Sequence, residues 1–169
     1  MRKILLAAVV AAAVFAFTST ANADENELFI DAGLGVFSTE GPNLSEVKFA
    51  KVGLQQEVWH ALKQRINVGG WLDSRGSDYA SAAFAGYQLG FDVKNDFVEM
   101  GIFSGPTLIS STDTALGGYF QFNDTLYIGI RDPKSDESIG VAYNHFSSAG
   151  LETPNIGKDF MCLEIKFPF

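Results

Sequence analysis

One cysteine, Cys162, is all the sequence contains, so no internal disulfide can hold the fold together. Histidine is nearly as scarce. His60 and His145 are the only two, and no His/Cys/Asp grouping shows metal-ligand spacing. Neither a metal nor a cofactor is expected, and no glycine-rich loop stands in a phosphate-binding context. Positive charge is short as well: 12 Lys+Arg face 20 Asp+Glu, for a net charge of -8. An acidic balance of this size argues against nucleic acid as a partner. Beyond the N-terminus no apolar run approaches the length of a transmembrane helix.

The N-terminus itself, MRKILLAAVVAAAVFAFTSTANA, has a basic start, an apolar stretch and a small-x-small site at Ala21-Asn22-Ala23. It reads as a secretory signal peptide over residues 1–23, leaving 24–169 as the folded domain. What that domain has in quantity is Phe and Gly, 15 and 17 over the whole chain. Secreted, aromatic, glycine-rich and poor in helix signals is the composition of an antiparallel barrel. The C-terminus, DFMCLEIKFPF, alternates strictly: Met161, Leu163, Ile165, Phe167 and Phe169 on one face, Cys162, Glu164 and Lys166 on the other. A last strand that ends on an apolar-face Phe looks like the closing strand of a bacterial outer-membrane barrel.

The same period recurs along the chain. Strands are expected at 27–38, 48–62, 66–74, 79–93, from 97 onward, at 119–132, at 138–147 and at 158–169, with the second and third separated near Lys63-Gln64-Arg65. Asn123-Asp124 is a candidate bulge within the sixth strand. Eight strands is an even number, and each is close to the length needed to cross a bilayer at a tilt. The faces not assigned to lipid carry Gly, Gln, Asn, Asp, Glu and Arg, which suits the packed polar interior of a small barrel. The expected fold is all-β, an eight-stranded antiparallel transmembrane outer-membrane barrel. With both termini in the periplasm, as in bacterial barrels, the loop at roughly 149–157 becomes extracellular.

NHFSSAG, residues 144–150, then acquires a direction. Ile139, Val141, Tyr143, His145 and Ser147 share a face, which is apolar until it reaches His and Ser. Asp159 has the parity of the outward residues of the last strand. Acid, base and nucleophile types therefore converge on the outer wall of one hairpin. A serine hydroxyl needs an imidazole to take its proton, and a carboxylate to hold the imidazole in the right tautomer. A polar collar at headgroup level is the plain alternative. There the cost of polar groups on the lipid face is only about 0–1 kcal/mol. Cys162 and Ser148 point inward, His60 beside Trp59 reads as interface belt, and Glu152 on the loop is expected to be solvated, a reserve acid.

The run HFSSAGLETPNIGKD resembles the active-site segment of the lipid A 3-O-deacylase family of Gram-negative outer membranes. The likeness is carried by His145, Ser147, Ala149, Gly150, Leu151, Pro154, Asn155 and Gly157, with weaker support from FQFNDTLYIGI. It implies His145 as general base, Ser147 as nucleophile and Asp159 as the acid. It also implies Asn155 as an oxyanion-hole donor, with the backbone N–H of Gly150 as a second. Where the family has Glu, this chain has the shorter Asp159; where the family usually has Asn after the nucleophile, it has Ser148. The implied activity is hydrolysis of the ester-linked 3-hydroxyacyl chain at position 3 of lipid A. Lipid A is then the substrate and outer-membrane lipid the surroundings, with a homodimer as an oligomeric option. Lys158 or divalent ions are the expected counterweight to the phosphates of lipid A. Alternatives of other kinds are a non-catalytic surface barrel that binds a partner, and an acyltransferase or phospholipase that uses the same triad.

Overall fold

The computed structural model of the chain describes residues 26–37, 46–74 and 80–169. The expected signal peptide, 1–23, lies outside the described residues. Eight strands run in chain order: β1 Asn26–Phe37, β2 Val47–Trp59, β3 Leu62–Asp73, β4 Ala82–Lys94, β5 Val98–Ile109, β6 Phe120–Arg131, β7 Ser138–Ser147 and β8 Lys158–Pro168. Each pairs antiparallel with its neighbours, and β1 closes on β8, so the sheet is a barrel without an edge.

Alternation decides which way each residue faces. Ile102, Ile128, Ile130, Val141 and Leu163 are exposed on the outer wall, while their strand neighbours Phe103, Tyr127, Ala142 and Cys162 are buried inside. The lumen is filled in two tiers. Toward the end bearing the 148–157 loop, Phe49, Trp71, Phe84, Phe146 and Phe160 pack ring on ring, with centroids 4.5–6.0 Å apart. Below them lies a charged tier. Arg65 is held between the rings of Phe29 and Phe103 and pairs with Glu164 at 2.9 Å. Lys51 pairs with Asp31 at 2.9 Å, and Lys166 meets Asp92 and Glu99 at 3.0 and 2.6 Å. A charge removed from water must be matched in this way, because an unmatched one costs several kcal/mol.

Two local expectations are corrected. The turn between β2 and β3 is at His60-Ala61, where His60 takes a φ of 48°; Lys63, Gln64 and Arg65 lie inside β3 and are buried. Lys63 and Arg65 turn into the lumen, while Gln64, of opposite parity, is buried against Gln56 and Tyr87, so the three read as a turn only when taken without their partners. Asn123-Asp124 is not a bulge: β6 keeps unbroken register with β5 and β7 through both residues. The connections at one end are short (60–61, 95–97 and 132–137), and those at the other are longer, including 110–119 and 148–157.

Candidate active site

The β7–β8 hairpin brings the singled-out residues together at the long-loop end. Phe146 and Phe160 point inward and lock into the aromatic tier. Their packing fixes both strands, and parity then sends His145, Ser147 and Asp159 outward. His145 and Asp159 are direct partners in the β7–β8 register. His145 Nδ1 lies 2.7 Å from Asp159 Oδ1. Their side chains are 31% and 17% exposed, so the pair sits in the wall and not in the sealed lumen. With Nδ1 given to the carboxylate, Nε2 is the nitrogen left to take a proton. Ser147 follows two residues along the same face, about 7 Å on at Cα from the strand rise. Its register partner on the other side is Phe122 of β6.

The loop that follows is held by its own backbone. Ala149 and Gly150 both adopt left-handed φ, 53° and 81°, and the Leu151 N–H donates to the Ser148 carbonyl at 3.0 Å. Ser148, fully buried, donates its hydroxyl to the Glu152 carbonyl and accepts from the Glu152 N–H. Asn155 Oδ1 accepts the Ser148 N–H at 2.7 Å. A backbone N–H can only donate, so this bond fixes which end of the Asn155 amide is oxygen and leaves its NH₂ as a donor. Gly157, at a φ of 89°, backs onto the imidazole: a Cβ there would stand 2.8 Å from His145 Cε1. No other residue type fits that position without moving the base.

A second loop braces the first, and sequence reasoning missed it. Between β5 and β6, Leu116 bridges to Asn155, the Gly117 N–H donates to the Pro154 carbonyl at 2.8 Å, and the Ile156 and Gly157 N–H groups donate to the Ala115 carbonyl. Asp113 ties this strap down. Its Oδ1 accepts from the Ala115 and Leu116 N–H groups, its Oδ2 from the Ala80 N–H, and Lys158 Nζ lies 2.6 Å away. Burial alone would raise the Asp113 carboxyl, but Lys158 and these N–H donors outweigh it and hold it below its usual range. Lys158 is thereby corrected as a counterweight to phosphate. It is buried, turned inward, and engaged by Asp73 as well as Asp113. Glu152 is half-buried, not solvated, with Oε2 packed against Gly118. Among the described residues, one carboxylate group has metal-ligand spacing, Glu27, Asp92 and Glu99. It lies at the other end of the lumen, already matched by Lys94 and Lys166. Cys162 faces the lumen, and His60 stacks near Trp59 at the short-turn end, so neither reaches the site.

The family model for lipid A 3-O-deacylase (PagL) matches residues 48–168, which includes every residue of this arrangement. The chain belongs to that family. It is 40% identical over 76 residues to the lipid A deacylase PagL of Bordetella bronchiseptica, covering 43% of this chain and 41% of that protein. To the lipid A deacylase PagL of Pseudomonas aeruginosa it is 34% identical over 85 residues, covering 48% and 47%. The aligned stretches thus span less than half the length of these relatives. In fold, the chain is similar to the crystal structure of the outer membrane enzyme PagL, with a TM-score of 0.60 and 19% identity over 85% of this chain and 99% of that one. A de novo designed transmembrane β-barrel also superimposes, at a TM-score of 0.57 and 10% identity. The architecture is that of an outer-membrane barrel.

Proposed function

We propose that this chain is an outer-membrane serine esterase that removes the 3-O-linked 3-hydroxyacyl chain of lipid A. The observation that carries the proposal is the 2.7 Å pair of His145 Nδ1 and Asp159 Oδ1 on the outer wall, with Ser147 beside it on the same face. His145 Nε2 accepts the Ser147 hydroxyl proton as Oγ attacks the ester carbonyl, and Asp159 steadies the imidazolium that forms. The Asn155 amide NH₂ is the donor for the oxyanion, with the Gly150 N–H as a second. Collapse returns the proton to the departing sugar oxygen and leaves the acyl chain on Ser147. Water, deprotonated by His145, then releases the 3-hydroxy fatty acid and restores the serine.

Placement supports the substrate class. A nucleophile on the outside of a barrel wall, at the long-loop end, meets lipids that diffuse laterally in the outer leaflet, where lipopolysaccharide resides. Mass spectrometry of lipid A from cells producing the protein or its Ser147→Ala form tests the reading. Loss of one 3-hydroxyacyl mass with the first and not the second is expected. Unaltered lipid A alongside well-folded wild-type barrel refutes it and favours a binding barrel.

A further inference from the structure

Tyr143 takes no part in the chemistry above, yet its hydroxyl donates to Asp159 Oδ1, the same oxygen that meets His145 Nδ1. Tyr143 and His145 are two apart on β7 and share the outward face. Across the hairpin, Met161 stands opposite Tyr143 and Asp159 opposite His145, so the phenol reaches one diagonal position along to find the acid. Among the described residues, without that bond the aspartate would be held on this wall by the imidazole alone, and the terminal torsion of an aspartate is soft. Only 17% of the Asp159 side chain is exposed, so the carboxylate draws donors from the protein. The phenol lies along the wall and ends on the acid.

We infer that Tyr143 is a positioning residue that holds the Asp159 carboxylate in the plane that orients His145, acting on the ester only through the acid. The inference deepens the esterase reading and rests on it for its catalytic consequence, while the hold itself can be seen without catalysis. The chain has two histidines, so in protein labelled with ¹⁵N-histidine His60 serves as an internal control for His145. Wild type should show a His145 Nδ1–H proton protected from solvent exchange. Tyr143→Phe should make that proton exchange faster while His60 stays unchanged. The rate at which a long-chain fluorophosphonate labels Ser147 should fall about tenfold, the loss expected for one hydrogen bond to a charged group. In an Asp159→Asn background, Tyr143→Phe should change neither readout, because the acid through which it acts is gone. Heat-modifiable gel mobility verifies that each variant is folded. A His145 proton that exchanges no faster in folded Tyr143→Phe overturns the inference. So does an equal fall in labelling with and without Asp159. If wild type takes no label at Ser147, the esterase reading fails, and the imidazole proton still decides the role of Tyr143.

Discussion

At the scale of single residues, Asn155 bears two duties that can be separated. Its oxygen holds the Ser148 N–H at 2.7 Å, and its NH₂ is the proposed oxyanion donor. Asn155→Asp keeps the acceptor and removes the donor. If the amide stabilises the oxyanion, turnover should fall by about 10²–10³, as for other single oxyanion donors, with KM little changed. Deacylation kinetics in detergent micelles measure this. A rate within twofold of wild type would move the oxyanion role to backbone donors such as the Gly150 N–H. Asp159 raises a different point of reach. It is a methylene shorter than glutamate, yet it closes on His145 at 2.7 Å, because the two are direct partners in the ladder. Glu152, the reserve acid in the sequence reading, is folded onto Gly118 in the neighbouring loop.

At the scale of elements, the decisive feature is that two loops form one unit. The 110–119 strap supplies the Ala115 carbonyl and the Gly117 N–H to the segment carrying Asn155 and Gly157. Gly117 has no room for a side chain: a Cβ would stand 2.4 Å from the Thr153 carbonyl and 2.6 Å from the Pro154 nitrogen, both backbone. Gly117→Val should therefore lift the strap and lower turnover about tenfold or more, while heat-modifiable mobility stays native because the strands are untouched. Equal loss of the folded band would show that the strap stabilises the barrel and is not dedicated to the site. Asp113→Ala should loosen the same strap by removing the acceptor of three N–H groups and a partner of Lys158. Chymotrypsin should then nick the chain near Leu116, where the wild type resists. The pH dependence follows from the depressed Asp113 carboxyl. A lowered folded value means that its contribution is complete above the ordinary value of 3.8 and is lost only as the pH falls through the lower folded one. The strap should hold across the neutral and mildly acidic range.

At the scale of the whole molecule, closure of β1 on β8 separates two environments that a linear sequence mixes at every second residue. Paired charges and the aromatic tier go inside; the apolar side chains of opposite parity go outside, to lipid. The orientation of that barrel in the membrane is open to direct test. A cysteine placed at exposed Thr153, between Ser147 and Asp159, should react with a membrane-impermeant maleimide on intact cells, while native Cys162, buried in the lumen, stays silent. Labelling only after the outer membrane is breached would place the site on the periplasmic side and remove the argument from outer-leaflet substrate. Lys158, paired inward with Asp73 and Asp113, is not the cation that would meet the phosphates of the proposed substrate.

The sequence by itself determined the eight strands, the face each residue takes and the hairpin that carries His145, Ser147 and Asp159. All of these follow from a period of two and from separations of a few residues along one chain segment. It misplaced the β2–β3 turn, because Lys63, Gln64 and Arg65 look like turn residues until Glu57 and Gln56 are known to pair with the first two from the neighbouring strand, and Glu164 with Arg65 across the lumen. Only the tertiary structure decided the rest. The bond from Tyr143 to Asp159 depends on the β7–β8 register, the inward turn of Lys158 depends on Asp73 and Asp113 from two other hairpins, and the strap meets Asn155 across some forty residues of chain. Periodicity says which side of a sheet a residue occupies. Which partner it meets there is settled when closure brings distant strands to one end of the barrel, where each charge must be matched and each close approach must fit.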